Sequence, residues 1–211
     1  MAFEIKIILS CLIAYLLGSL SGGIIISRIA HGPDLHTVGS KSTGASNVQR
    51  TMGWKYGLIT FFFDVIKGVL SCLIAQWISG NHPNAHFVVL LAGLFCVIGH
   101  NWPVFFGFKG GKGVASSCGV MIYCFPIPAL ICFGIAILVI ALTKFISLGS
   151  MCMLTLYAIL VSLFYSNGNW WIILWAVILA ILCIIRHRAN IQRLLHGTEN
   201  KFGQKISGTS K

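Results

Sequence analysis

Four polar segments interrupt a chain that is otherwise made of long apolar runs. The first is Gly39-Ser40-Lys41-Ser42-Thr43-Gly44-Ala45-Ser46-Asn47-Val48-Gln49-Arg50. Ser42 or Thr43 is placed to cap a short helix that stops near Gly53. On such a helix Ser46, Asn47 and Arg50 stand at i, i+1 and i+4 and share an edge. Hydroxyls, an amide and a guanidinium on one edge suit a phosphate, which accepts many hydrogen bonds. The competing reading is a solvated basic loop.

The second segment is Gly99-His100-Asn101-Trp102-Pro103, followed by Phe108-Lys109-Gly110-Gly111-Lys112-Gly113-Val114-Ala115-Ser116. Gly110, Gly111 and Gly113 let the backbone approach an anion, and successive N–H groups there can form a nest at the start of a helix. Lys112 among them is a phosphate partner, although the P-loop spacing is absent. A simple glycine turn is the alternative. The third segment, Ser147-Leu148-Gly149-Ser150, opens an apolar run, and either serine can serve only as its N-cap. The fourth, Arg186-His187-Arg188-Ala189-Asn190-Ile191-Gln192-Arg193-Leu194-Leu195-His196-Gly197-Thr198-Glu199, leaves the last apolar run as a helix ending near Gly197. His187, Asn190 and Arg193 recur every third residue, on adjacent turns. An interfacial helix on acidic lipid explains its arginines but not His187 and Asn190. Within an apolar run, Asp64 and Lys67 stand at i, i+3 and read first as a mutual structural pair, since charge in lipid is normally paired.

Convergence would turn these segments into one phosphate site rich in cations and hydroxyls. Carboxylates are scarce there: only Asp34 and Glu199 lie in the segments proposed to face inward. Mg²⁺ prefers carboxylate or phosphate oxygen, so no dedicated metal site is expected, and phosphate binds the protein directly.

The elements that must position such a site are set by composition. Of 211 residues, 57% are hydrophobic and 9% charged, against about a quarter charged in a soluble domain. That is too little charge to coat a water-facing surface, so lipid is the surrounding medium. Nucleic-acid binding is not expected despite a net charge of +11, because such proteins are not this apolar. The eight cysteines all fall in apolar runs with no CxxC pair and no zinc spacing, and read as small hydrophobes.

Apolar runs at about 7–29, 56–79, 86–106, 113–127, 128–146, 148–166 and 170–186 predict seven transmembrane helices in one all-α integral membrane domain. The run at 113–127 is the weakest, and Pro126 and Pro128 separate it from the next. The first run resumes at Ile24–Ile26 past a small-residue stretch, which suits a retained span better than a cleaved signal. With the N-terminus outside and the C-terminus cytoplasmic, 13 of 15 basic residues face inward, leaving only Lys6 outside and Lys67 within a span. Dropping the fourth span would send the six basic residues from Arg186 onward outside. No internal repeat or domain linker interrupts the chain, and the polar tail after Gly203 is expected to be loose.

At these segments the chain resembles the bacterial acyl-phosphate:glycerol-3-phosphate acyltransferases, the PlsY family. The resemblance rests on GSKSTGASNVQR at 39–50, GHNWPVFFGFKGGKGVAS at 99–116 and RHRANIQRLLHGTE at 186–199, with SLGS at 147–150 and DVIKG at 64–68 in support. It runs in order over nearly the whole chain. It implies seven spans in the bacterial plasma (inner) membrane, with the active site facing the cytoplasm. It also implies acyl transfer from acyl phosphate to the 1-hydroxyl of glycerol 3-phosphate, giving lysophosphatidic acid and inorganic phosphate in the first step of phospholipid synthesis. His187, Asn190, Lys112 and Ser150 would then be catalytic. Ser40, Ser46, Asn47, Arg50, Lys109, Gly110, Gly111, Gly113 and Arg193 would bind substrate, and Glu199, like Asp64 and Lys67, would serve structure. No cofactor and no obligate protein partner are implied; membrane lipid is the surroundings. The chain departs from the family pattern at Ser42, where Asn is usual, at Ser46, where Thr is usual, and at Ser19-Leu20-Ser21-Gly22-Gly23, which lacks a usual proline.

The chemistry agrees with the residues. An acyl phosphate is already activated, so cations need only offset the departing phosphate and orient the alcohol. The proton of that alcohol can go to His187 or to a substrate phosphate oxygen. An anion transporter would instead need polar groups along a path through the bilayer, and only Asp64 and Lys67 lie deep. A lipid-binding scaffold would tolerate change at Gly110–Gly113.

Overall fold

The computed structural model describes residues 2–203. The tail after Gly203, expected to be loose, lies outside the described residues. Ten helices follow in order: α1 Phe3–Ser19, α2 Gly22–Ile29, α3 Ala45–Met52, α4 Trp54–Ser79, α5 Ala85–Asn101, α6 Val114–Cys124, α7 Pro126–Thr143, α8 Ile146–Phe164, α9 Trp170–Arg186 and α10 Arg188–Leu195. A single 3-10 turn, Val104–Phe106, follows α5, and no strand occurs among the described residues.

Five helical stretches are long and apolar enough to cross a bilayer: Phe3–Ile29, Trp54–Ser79, Ala85–Phe106, Pro126–Thr143 and Ile146–Phe164. Trp170–Arg186 with Arg188–Leu195 makes a sixth if the 60° bend between them is counted within one span. The helix found in the run 113–127 is different. Its 11 residues extend about 16 Å, roughly half of a hydrocarbon core of about 30 Å. It is completed by the loop before it, which folds inward: Gly110, Gly111 and Gly113 are buried, and the Gly111 N–H donates to the His100 carbonyl at 3.1 Å. At the other end of α6, Phe125 meets His86 at the start of α5 (5.5 Å), Tyr165 at the end of α8 (5.9 Å) and Trp175 of α9 (6.0 Å).

Large apolar side chains point outward, as lipid requires: Trp77 is 84% exposed and Leu142 75%. Helices pack inward through glycine. A Cβ at Gly18 would strike the Cys96 carbonyl and one at Gly99 the Tyr15 carbonyl, which brings α1 against α5 backbone to backbone. All eight cysteines are free, six of them buried.

The first span breaks between α1 and α2 even though it lacks the family's proline. In a continuous helix the Gly18 and Leu20 carbonyls would accept from residues four further on. Here Lys67 Nζ donates to both, at 2.9 Å each. Its third proton goes to His100 Nδ1 at 2.9 Å, and Asp64 Oδ1 lies 2.8 Å away. Asp64 Oδ1 also lies 3.5 Å from His100 Nδ1, so carboxylate, ammonium and ring form one buried cluster. Lys67 therefore caps a broken helix inside the membrane, with Asp64 offsetting its charge.

Candidate active site

The four polar segments meet around one cavity of about 500 Å³. Its polar end is built from Ser40, Ser46 and Arg50, from Lys112 and Gly113, from Ser147 and Ser150, and from His187, Asn190 and Glu199. An apolar arm runs from it between α4, α6, α7 and α8, past Phe61, Phe62, Ile122, Phe133, Ile137, Ile140 and Met153.

Glu199 organises the polar end. Its Oε1 accepts from Asn190 Nδ2 at 2.6 Å and from Ser147 Oγ at 2.9 Å, and its Oε2 accepts from Arg193 Nε at 2.8 Å. Burial raises its carboxyl, but these hydrogen bonds and the Arg193 charge outweigh burial and hold it below the usual carboxylate range. Asn190, aligned by Glu199, accepts from Lys112 Nζ through Oδ1. One chain of contacts thus aligns Lys112, Asn190, Glu199 and Arg193. Burial brings the Lys112 ammonium down to about 8; Glu199 resists the fall, while Arg193 and Arg50 add to it. A cation in that state gains strongly from an arriving anion.

His187 stands at the 60° bend between α9 and α10. Its Nδ1 lies 2.8 Å from the Cys183 carbonyl. A carbonyl only accepts, so Nδ1 carries the proton and Nε2 keeps its lone pair. The regular three-residue recurrence predicted on one helix is broken here, yet His187 and Asn190 still reach the same cavity.

Several expectations change. Neither Ser42 nor Thr43 caps α3: the N-cap is Gly44. Asn47 shares the Ser46–Arg50 helix but is turned into its own loop. Its Nδ2 donates to the carbonyls of Ser42 (2.9 Å), Val38 (3.2 Å) and Leu35 (3.4 Å), and its Oδ1 accepts from the Ser40 N–H at 2.8 Å. It holds Ser40 in place from within the wall. Neither Ser147 nor Ser150 is an N-cap, because α8 starts at Ile146, one residue before Ser147 and four before Ser150, with Phe145 as cap. Ser147 bonds Glu199, and Ser150 donates to the Ile146 carbonyl at 2.9 Å. Lys109 is exposed, outside the cavity wall, with its carbonyl accepting from His36 Nε2 at 2.8 Å. Gly110 and Gly111 also stand behind the wall, and the Gly111 N–H is spent on the His100 carbonyl, whereas Lys112, Gly113 and Val114, at the start of α6, line the cavity. Glycine is needed for close approach instead: a Cβ at 110 would strike the His100 carbonyl, and one at 111 the His100 ring.

Two residues quoted within the motifs, but given no role from sequence, hold the glycine loop. The Arg186 guanidinium donates to the carbonyls of Gly110 (3.1 Å) and Gly111 (2.7 and 3.0 Å), and lies over the Trp102 ring at 5.3 Å. His100 lies beneath the loop and also lines the cavity. Among the described residues, no group of three or more His, Cys, Asp or Glu is placed to hold a metal ion.

The sequence profile described as Glycerol-3-phosphate acyltransferase matches residues 8–197. The chain belongs to the glycerol-3-phosphate acyltransferase family. A glycerol-3-phosphate acyltransferase of Thermoanaerobacter sp. (strain X514) is 41% identical over 198 residues, covering 94% of this chain and 96% of that one. Another, of Clostridioides difficile (strain 630), is 42% identical over 202 residues, covering 94% and 96%. The crystal structure of PlsY (YgiH), an integral membrane glycerol 3-phosphate acyltransferase in its glycerol 3-phosphate form, superposes with a TM-score of 0.85. It is 38% identical and covers 93% of this chain and 96% of its own. The same enzyme in its lysophosphatidic acid form superposes with a TM-score of 0.82. The acyltransferase described here is accordingly an all-helical, multi-pass membrane protein of the PlsY type, and its family places it in phospholipid biosynthesis.

Proposed function

We propose that this acyltransferase moves a fatty acyl group from acyl phosphate to the 1-hydroxyl of glycerol 3-phosphate, releasing lysophosphatidic acid and inorganic phosphate. The observation that carries the proposal is a single cavity joining a cation-lined end to an apolar arm. Two small phosphates alone would need only the first. A substrate with both a phosphate and a hydrocarbon chain needs both. A relative crystallised in a lysophosphatidic acid form supports the same product here.

Arg50, with the Ser40 and Ser46 hydroxyls, is positioned to take the glycerol 3-phosphate headgroup. Lys112, held by Asn190, is positioned to take the phosphate of the acyl donor, and Ser150 adds a hydroxyl beside it. The 1-hydroxyl oxygen then forms a bond to the acyl carbon, and its proton passes to His187 Nε2. The bond from the acyl carbon to the phosphate oxygen breaks, and that electron pair leaves with the phosphate, whose charge Lys112 offsets. Asn47, Gly110, Gly111, Arg193 and Glu199 act by shaping and aligning these groups, and Lys109 adds charge at the mouth. Asp64 and Lys67 serve structure.

Seven traverses, with the N-terminus outside and the site facing the cytoplasm of a bacterial inner membrane, fit the basic residues best. Arg28, Arg50, Lys112, Lys144 and Arg186 cluster at one end, whereas Lys6 Nζ donates to the Ser79 carbonyl at the other, at 3.0 Å. Fusing a cytoplasm-specific reporter after Gly203 tests the orientation: activity is expected, and silence of a well-expressed fusion overturns it.

The activity is tested with the purified, folded chain in a lipid-like detergent, supplied with acyl phosphate and glycerol 3-phosphate. Equal amounts of lysophosphatidate and phosphate are expected. No product would falsify the reading. A His187→Gln variant that keeps near-normal turnover at saturating substrate moves the proton to a substrate phosphate oxygen instead.

A further inference from the structure

The Arg186 guanidinium, at the end of α9, is committed to backbone. Its Nε and Nη2 both donate to the Gly111 carbonyl, at 3.0 and 2.7 Å, and Nη2 also donates to the Gly110 carbonyl at 3.1 Å. The Trp102 ring lies against the guanidinium, its centroid 5.3 Å away. The Gly111 N–H is held as well, by the His100 carbonyl of α5 at 3.1 Å. A step of two glycines is thus pinned by groups from two helices, and the residue that follows it is Lys112.

The consequence lies in the next peptide group. The Gly111 carbonyl and the Lys112 N–H belong to one planar trans peptide, so they point in opposite directions. Fixing the carbonyl on Arg186 fixes the N–H on the side away from the guanidinium. Arg186 and Gly111 are not part of the cavity wall, whereas Lys112 and Gly113 are. Among the described residues, no protein group accepts from the Lys112 N–H.

Lys112 therefore carries two donors of different kinds. Asn190 aligns the ammonium, and Arg186 sets the direction of the amide. A cation that donates twice to a carbonyl also polarises the peptide, which makes the N–H of that peptide a stronger donor. An amide so fixed, beside a cation and without a protein acceptor, suits an anionic oxygen.

We infer that Arg186 is a positioning residue for the acyl donor: through the Gly111 carbonyl it aims the backbone N–H of Lys112 at an oxygen of the donor's phosphate. The inference rests on the acyl phosphate reading above. As the bond from the acyl carbon to the phosphate oxygen breaks, its electron pair leaves with the phosphate. Amide and ammonium of Lys112 then hold the added charge together. Arg186 itself touches no substrate. Lysine cannot replace it, because the guanidinium is a planar fork that donates twice to one carbonyl, whereas an ammonium is a point charge on a flexible stem.

The test uses the full chain in detergent, wild type first. A wild type that makes no lysophosphatidate from acyl phosphate overturns the underlying reading. Given an active wild type, Arg186→Met is expected to lower kcat/KM for acyl phosphate about 100-fold, the scale of one lost hydrogen bond to a charged group. KM for glycerol 3-phosphate is expected to stay within about threefold. Arg186→Lys restores the charge without the fork. It is expected to recover the melting temperature but to stay about tenfold below wild type in kcat/KM for acyl phosphate. Full recovery of activity by lysine assigns Arg186 to charge alone, and an equal rise in both KM values assigns it to folding; either overturns the inference. Wild-type activity in Arg186→Met also overturns it. Should these variants unfold, wild type labelled with ¹⁵N-lysine gives a second reading, the Lys112 amide being the resonance lost in Lys112→Arg. That amide proton is expected to move downfield when a non-hydrolysable acyl phosphonate saturates the protein. An unmoved amide overturns the inference.

Discussion

Lys67 is buried and Lys112 half-buried, and their surroundings differ in one respect. Lys67 has all three protons taken by the protein, two by carbonyls of a broken helix and one by His100, with Asp64 beside it. Lys112 has one named partner, the amide oxygen of Asn190, and otherwise faces a cavity. The first cation is satisfied before any substrate arrives. The second is left for a ligand to satisfy, and burial keeps its ammonium down at about 8. Residue type and depth do not distinguish structure from chemistry here; the number of protons left over does.

The largest effect expected from this contrast is on catalysis at Lys112. Lys112→Ala should lower kcat/KM by about 1,000-fold, the upper range for losing a charge-stabilising donor, while the melting temperature in detergent changes little. An active variant would break the assignment of Lys112 to the substrate. Lys67→Met should do the reverse first: it leaves Asp64 unpaired and two carbonyls bare in the membrane, a loss of about 3 kcal/mol or more, read as a lower melting temperature. A stable Lys67→Met would show that the break between α1 and α2 needs no cation.

A smaller effect is expected where the two regions differ in anchoring. Glu199→Gln keeps the size of the side chain but removes its charge beside Arg193 and one acceptor from the network aligning Asn190. KM for glycerol 3-phosphate should rise about tenfold, consistent with about 1.4 kcal/mol lost from charge-assisted hydrogen bonds, with kcat changing less. Equal losses in kcat would place Glu199 closer to the chemistry than its geometry suggests. The pH profile separates the two lysines most finely. Lys112 is cationic below about 8 and neutral above it, so kcat/KM should fall with rising pH through that value, and Lys112→Arg should lose this alkaline limb. A limb that persists in the arginine variant belongs to another group.

The same contrast explains which parts of the site could be read from sequence. The four polar segments were legible because such chemistry is rare between apolar runs, and their convergence followed from placing them all on one side of the membrane. The roles of Asn47, Ser147 and Gly111 were not legible. Asn47 stands in the cavity wall but spends its amide on its own loop, and nothing in the spacing of Ser46, Asn47 and Arg50 reveals which partners a side chain takes. Ser147 looked like a helix cap until Glu199, 52 residues on, accepted its proton. Gly111 looked like an anion nest until the His100 carbonyl took its N–H. The short α6 was legible as the weakest apolar run, but not the inward fold of the loop that completes it.

By itself the sequence determined that this chain lives in lipid, that it is built of helices, and which residue types are available for phosphate. Those properties depend on composition and local periodicity, which need no partner. Only the tertiary structure decided which cation is used up and which remains free. That depends on whether a carbonyl or amide from a distant helix lies within about 3 Å. In this fold the broken first span supplies such carbonyls to Lys67 and leaves Lys112 facing the cavity.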